Sequence, residues 1–134
     1  MNTQQVNEVK FELGYYGKRL SDCFALRHEV VFFVPTTVNG NQQAPASLVE
    51  SVVRELKDAL AHKFGGSNSE SARLGQWPSE TLGMIHENNI PVHCLFADLN
   101  EETDQWLYDA GEWLKVTMSQ ESVLVVLDGV GYFI

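Results

Sequence analysis

Two adjacent residues, His86 and Glu87, have side chains suited to proton transfer. An imidazole titrates near neutral pH, and a carboxylate beside it raises the pKa of the ring, so these residue types fit general acid–base work. Neighbouring residues on a strand point to opposite faces, so the two side chains cooperate only if a turn reorients them. We predict His86 and Glu87 as the candidate catalytic residues.

Four further residues flank predicted strands, where polar groups beside an aromatic ring are typical of the lip of a ligand pocket. They are Gln76, Trp77, Gln120 and Glu121, and we predict them as ligand-binding residues. A purely structural role is the alternative. In that case Trp77 covers the core, while Glu87 and Glu121 pair with the backbone or with charged neighbours.

Metal and cofactor sites have no convincing sequence signal. His86, His93 and Glu87 can be imagined as a metal set, but their spacing matches no dense ligand motif. The nucleotide-binding, hydrolase and zinc-protease motifs are absent from the sequence as well. We therefore predict no metal and no cofactor. Cys23 and Cys94 are predicted to be small buried hydrophobes in a reducing compartment, the cytoplasm.

Acidic residues outnumber basic ones by 18 to 9, which gives a formal charge of −9. Such a charge repels phosphate backbones, so we predict no nucleic-acid partner. No run of about 18 apolar residues exists and the first ten residues are polar, so we predict neither a membrane helix nor a secretory signal. Six acidic residues precede Lys115 in and before the second helical segment: Asp98, Glu101, Glu102, Asp104, Asp109 and Glu112. They are either a solvated helix face, a contact surface for a basic partner, or a mimic of a nucleic-acid backbone.

Two amphipathic helices are predicted over residues 49–64 and 101–118 from apolar positions at 3.6-residue spacing. Ser47 and Glu50 indicate a capping box for the first helix, and Asn100 caps the second. Gly111 weakens the second helix but allows a close approach to the sheet.

Extended apolar runs alternate with these helices in the order strand, helix, strand, strand, helix, strand. The order predicts an α+β, ferredoxin-like βαββαβ sandwich, with a four-stranded antiparallel sheet and both helices on one face. The third strand is interrupted, because Asn88 and Asn89 favour a kink or bulge. Asp128 and Gly129 are a hairpin signal, so residues 130–134 either return as a strand or continue the last strand with a bend, which we favour.

The chain of 134 residues is predicted to be a single domain, with a core over residues 28–134 and an N-terminal appendage over residues 1–27. Val9, Phe11, Leu13 and Tyr15 alternate with other residues in the appendage and predict a short half-buried strand. The core strands are apolar on both faces. We therefore predict a homodimer that packs sheet on sheet.

From Phe64 to its C-terminus the chain resembles a small bacterial family of ferredoxin-like domains whose function is uncharacterised. The motifs that carry the resemblance are Gly75-Gln76-Trp77, Ile85-His86-Glu87, the segment from Gln120 to Leu124, and Phe133. The family's basic residue before the glutamate stands here as His86, and the first 27 residues have no counterpart. The resemblance implies the fold and supplies no activity.

Two functions are compatible with this sequence. The favoured hypothesis is a small soluble, homodimeric module that binds a small molecule or a basic protein, through the acidic second helix and the region of Gln76 and Trp77. The alternative is a cofactor-independent enzyme of the dimeric α+β barrel type. In that enzyme His86 or Glu87 transfers a proton in a pocket between helices and sheet.

Overall fold

A computed structural model describes residues 8–39, 42–69, 73–79 and 83–134, with the backbone alone described for residues 73–79 and 83–87. A single 3₁₀ turn, Leu20–Asp22, precedes the sheet. The remaining elements, in chain order, are β1 (His28–Pro35), β2 (Thr37–Val38), β3 (Gln42–Gln43), α1 (Ala46–Phe64), β4 (Asn68–Ser69), β5 (Arg73–Ser79), β6 (Gly83–Phe96), α2 (Glu101–Thr117), β7 (Leu124–Leu127) and β8 (Val130–Phe133).

The main sheet is built around β1, which pairs antiparallel with β6 on one side and with β7 on the other. The strand order is β4-β6-β1-β7-β8, and β5 also pairs with β6. The β4/β5-β6-β1-β7 part of this order is that of a ferredoxin-like sheet, and β8 extends one edge. The predicted α+β, ferredoxin-like fold is confirmed.

The core lies between this sheet and the two helices. Alternate residues of β1, namely Val30, Phe32 and Val34, are fully buried and face the helices. They pack in one cluster with the apolar stripe of α1 and with residues of α2 and the following turn: Val49, Val52, Leu56, Leu60, Leu107, Leu114 and Met118. These side chains fill the layer between the helices and the sheet, which is where the enzyme hypothesis predicted a pocket. No helix in the described ranges is both long enough and apolar enough to cross a bilayer.

Gly111 of α2 lies close to the end of the chain and to β7. A Cβ built on Gly111 would overlap Cδ1 of Ile134 and would lie 3.3 Å from Cγ2 of Val125. Any larger residue would therefore require the side chain of Ile134 to move and that of Val125 to shift slightly. The predicted close approach is confirmed.

The last two strands form a hairpin, and the bent continuation that we favoured is wrong. Asp128 and Gly129 both have positive φ, 51° and 80°. Two consecutive positive φ angles give a type I′ turn, whose twist matches that of paired strands. Residues 130–133 therefore return along β7, starting with the pair Leu127 and Val130.

The kink predicted at Asn88 and Asn89 is also wrong, because β6 is one continuous strand of 14 residues. Asn88 is opposite Leu74 in the ladder with β5. Asn89 is opposite Pro35 of β1. The carbonyl of Asn88 accepts hydrogen bonds from the N–H and the hydroxyl of Thr36, at 3.1 and 2.7 Å. These contacts hold the strand straight where the amides alone would favour a turn.

The helix ends follow the sequence signals in part. The side chain of Asn100 caps α2 as predicted. Helix α1, however, begins at Ala46 after Pro45 and has no side-chain cap, so the predicted capping box of Ser47 and Glu50 is wrong. Pro45 occupies the N-cap position, and it has no side-chain acceptor and no N–H to donate to a capping-box side chain, so that arrangement cannot form there.

The N-terminal segment lies outside the sheet. Residues 8–19 pair with no strand of the described chain, and the side chains of Phe11 and Tyr15 are 91% and 96% exposed. The half-buried strand predicted here is therefore not formed within the single chain. Cys23, in the same segment, is exposed and not buried as predicted, whereas Cys94 is buried; both thiols are free.

Candidate functional site

A cleft of about 610 Å³ opens beside the C-terminal end of α1. Its walls come from Glu29 of β1, from His93 and Leu95 of β6, and from the loop of residues 65–68 that follows the helix. The loop begins where Gly65 ends α1 with a φ of +99°, a conformation that favours glycine. A cleft of this size is large enough for a small-molecule ligand.

An imidazole and a carboxylate face each other in this cleft. In the antiparallel register Glu29 is opposite Leu95, and Val31 is opposite His93. Glu29 and His93 are therefore diagonal neighbours on the same face of the sheet. This face, which points away from both helices, is called the outer face below. Nδ1 of His93 lies 3.7 Å from Oε2 of Glu29. Such a pair can accept and return a proton.

Cys94 connects β6 to the loop beside the cleft. Its side chain points into the core, and its Sγ donates a hydrogen bond to the carbonyl of Gly66 at 3.0 Å. Burial raises the pKa of this thiol to about 11. The group is therefore protonated near neutral pH and holds the glycine loop against β6. Among the described residues no group of three or more His, Cys, Asp or Glu side chains is arranged to hold a metal ion.

The residues predicted from the sequence on β5 and β6 lie in one hairpin. Gln76 is directly opposite His86, Trp77 is opposite Ile85, and Gly75 is opposite Glu87. The backbone thus brings Gln76 and His86 to the same position of the ladder. The side chains of Gln76, Trp77, His86 and Glu87 are outside the described part of the structure, so their roles stay predictions.

Gln120 points inwards at the base of that hairpin. It is only 8% exposed, and its Nε2 donates to the carbonyls of Thr37 and Met118 at 2.7 and 3.2 Å. Its Oε1 is buried and accepts no hydrogen bond from the described residues. Thr37, whose carbonyl accepts the hydrogen bond from Gln120, follows Thr36, whose N–H donates to the carbonyl of Asn88 in β6. Gln120 and the β5–β6 hairpin therefore lie at the same end of the sheet. Glu121 is exposed next to it.

The two candidate regions lie at opposite ends of β1. Glu29 is near its start, and Pro35, which pairs with Asn89 at the base of the hairpin, is at its end. The distance along the strand is six residue steps, about 20 Å. Glu29 and His93 were not predicted as a pair, because they are 64 residues apart and meet only through the β1–β6 register. The sequence does contain one signal of this pair. Glu29 and His93 are each a polar residue at an outward-facing position in an otherwise apolar strand.

Comparison with known proteins gives a match in structure alone. No protein-family model matches the chain, and no curated protein sequence matches it. A solved phage SAM lyase in complex with S-methyl-5'-thioadenosine is similar with a TM-score of 0.62 and 19% identity, covering 80% of this chain and 88% of that one. The phage SAM lyase in the apo state has a TM-score of 0.58 and 20% identity, covering 80% and 87%.

These matches change the predicted function. The favoured hypothesis, a binding module without catalysis, is contradicted, because the solved protein that shares this fold is an enzyme. The enzyme alternative is the better supported of the two. The likeness also supports the coarse part of the family resemblance, a small α+β fold, and supports no specific family. At 19% and 20% identity it shows the fold alone.

Proposed function

We propose that this chain is an enzyme that cleaves a carbon–sulfur bond in a sulfonium nucleoside of the S-adenosylmethionine kind. The observation that carries the proposal is the extent of the shared fold, which spans 80% of this chain and 88% of a SAM lyase. That lyase was solved with S-methyl-5'-thioadenosine, a thioether nucleoside, which suggests the product to look for.

The sulfur leaving group needs little assistance from the protein. When the carbon–sulfur bond breaks, sulfur keeps the electron pair and changes from a cationic sulfonium to a neutral thioether. The leaving sulfur therefore needs no proton. The carbon fragment must lose a proton to a base or accept a nucleophile, and a carboxylate or an imidazole can act as the base. The net charge of −9 favours approach of a cationic substrate.

Two sets of residues are candidates for this role. The first is the predicted set on the hairpin, with His86 or Glu87 as the proton-transfer residue and with Gln76, Trp77 and Gln120 as ligand contacts. Glu121 completes that set. The second is the pair of Glu29 and His93 in the 610 Å³ cleft, which places a carboxylate and an imidazole 3.7 Å apart. The second set is supported by described side chains.

The test is to incubate the purified chain with S-adenosylmethionine and to follow S-methyl-5'-thioadenosine by liquid chromatography and mass spectrometry. A rate above that of the heat-denatured chain is expected. No product above that background overturns the proposal.

Four variants then locate the site: Glu29→Gln and His93→Asn for the cleft, and His86→Asn and Glu87→Gln for the hairpin. Loss of a proton-transfer residue should lower the rate by roughly 100-fold or more. Only one of the two pairs should show this loss. Glu55→Gln, an exposed acid of α1, is the matched control and should keep the wild-type rate.

The remaining assignments are also proposals. A single domain with residues 28–134 as its core accommodates the site. A cytoplasmic location suits the two free thiols, Cys23 and Cys94. A homodimer through the outer face of the sheet would cover the apolar residues there.

A further inference from the structure

The N-terminal arm, residues 8–26, exposes an unusual amount of apolar surface. Every large apolar side chain in it is exposed: Val9, Phe11, Leu13, Tyr15, Tyr16, Leu20, Phe24 and Leu26. The hydrogen bonds within its backbone are local, from Asp22 to Arg19 and from Cys23 to Leu20. Exposed apolar surface of this extent marks an interaction site, because leaving it in water is unfavourable.

The outer face of the sheet is the second apolar surface, and neither helix of the described chain covers it. The antiparallel registers place Val31, Phe33 and Leu95 on this face, together with Val126 and Phe133. Val31 is buried among its neighbours, whereas Leu95 is 50% exposed and Phe133 is 72% exposed. Both helices pack on the opposite face, so neither of them covers this one.

We propose that the arm of one copy of this chain packs across the outer face of a second copy. The arm has the sequence pattern that such packing needs. Val9, Phe11, Leu13 and Tyr15 alternate with Lys10, Glu12, Gly14 and Tyr16, so an extended arm presents one fully apolar side.

Charge does not oppose contact between the arm and the body of the chain. Residues 8–26 have no net charge, because three basic residues (Lys10, Lys18 and Arg19) balance three acidic ones (Glu8, Glu12 and Asp22). Residues 28–134 contain five basic residues and fifteen acidic ones. The anionic body therefore does not repel the arm as it would repel a second anionic surface.

The area available is enough for a stable assembly when the exchange is reciprocal. Aromatic side chains can bury on the order of 150 Å² each. The four aromatic side chains of the arm, Phe11, Tyr15, Tyr16 and Phe24, give roughly 1,200 Å² over two arms, at the lower end of the range of specific protein interfaces. A single arm folded back on its own sheet would bury half of this.

The exchange also bears on the cleft. Glu29, His93 and Leu95 line the cleft and belong to the outer face, so an arm lying on this face would border the site. The inference about the arm does not depend on the lyase activity. It can be tested by the mass of the assembly alone.

The test is light scattering or sedimentation of the full chain at several concentrations. The wild type should have a mass that is a multiple of the chain mass of 15.1 kDa. The variant Phe11→Ser/Leu13→Ser should shift to the mass of a single chain. Lys10→Ser/Glu12→Ser changes the polar side of the same arm and is the matched control, which should keep the wild-type mass.

A second experiment identifies the contact. A chain with Leu13→Cys is mixed with a chain with Leu95→Cys, both in a Cys23→Ser background, and is then oxidised. A covalent dimer that contains one chain of each kind is expected. Wild type at the mass of one chain, or an oligomer that survives Phe11→Ser/Leu13→Ser, overturns the proposal.

Discussion

Nδ1 of His28 lies 2.7 Å from Oδ2 of Asp128, a residue 100 positions later in the chain. His28 begins β1 and Asp128 begins the turn between β7 and β8. Oδ1 of the same carboxylate accepts the N–H of Glu29 at 2.9 Å, and the N–H of Asp128 donates to the carbonyl of Glu29 at 2.9 Å. The turn is thus tied to the first strand just beyond the β1–β7 ladder.

This contact makes the stability of the fold depend on pH. The hydrogen bond from His28 and that from the N–H of Glu29 lower the pKa of Asp128. A carboxylate whose pKa is lower in the folded state stabilises the fold above its unfolded pKa. That contribution is lost as the pH falls below about 4 and through the folded pKa.

Asp128→Asn should therefore lower the melting temperature at pH 7. The difference from the wild type should shrink at acidic pH, where the carboxylate of the wild type is protonated. Asparagine keeps the positive φ of the turn, so the variant changes the charge and not the backbone. Thermal unfolding followed by circular dichroism from pH 7 to pH 3 measures this, with Glu55→Gln as control. A difference that stays constant over the whole range contradicts the prediction.

Gly111 gives a prediction about packing. Gly111→Ala gains about 1 kcal/mol of helix propensity. The added methyl group, however, overlaps Ile134 and crowds Val125, and overpacking of this kind costs about 1–3 kcal/mol. We expect a net loss of about 1 kcal/mol in the free energy of unfolding, measured in urea.

The matched background for Gly111→Ala is Ile134→Ala, which removes the overlapping atom. On that background the same substitution should stabilise the chain, because only the 3.3 Å contact with Cγ2 of Val125 remains. The same sign of effect in both backgrounds would show that Ile134 is not the cause.

The burial of Cys94 predicts that its thiol reacts with a disulfide reagent only when the chain unfolds. Cys94 has a pKa of about 11 because of burial, so thiolate is scarce at pH 8 and a disulfide reagent cannot reach the sulfur. In a Cys23→Ser variant, Ellman's reagent should titrate no thiol in the native chain and one thiol in guanidinium chloride. Rapid reaction of the native variant would mean that the loop of residues 65–68 opens readily.

The start of α2 gives a prediction about capping. Oδ1 of Asn100 accepts the N–H of Thr103 at 3.0 Å, and Oγ1 of Thr103 accepts the N–H of Asn100 at 2.7 Å. Asn100→Ala should lower the free energy of unfolding by about 1 kcal/mol. Asn100→Asp keeps the acceptor and should unfold at the wild-type denaturant midpoint or slightly above it. Equal loss in both variants would assign the effect to something other than the cap.

The helices and the topology were predictable because their signals are local. The stripe from Val49 to Leu60 predicts α1 to within a few residues of its observed bounds, Ala46–Phe64. The errors arise where distant contacts override local preference. The amides of Asn88 and Asn89 favour a turn, yet pairing with β1 and β5 keeps β6 extended. The alternation of Val9 and Phe11 indicates a strand, yet no strand among the described residues pairs with it.

The candidate site was much harder to predict. Glu29 and His93 come together only because the β1–β6 register places Glu29 opposite Leu95, and a shift of one residue would separate them. Gln120 was predicted as a ligand contact from its position before the last strand, and its amide is in fact bonded to the backbone of Thr37. Residue type indicates what a side chain can do, whereas register decides what it meets.

The unbroken strand β6 constrains how this protein can change in length. It pairs with eight residues of β1 and seven of β5 without an offset. If Phe96 kept its register with β1, deleting Cys94 or Leu95 would turn His93 towards the helices and bring Val92 out to water. The whole β5 hairpin would shift by the same step. Insertions and deletions in homologous chains are therefore expected in the loops and not within this strand.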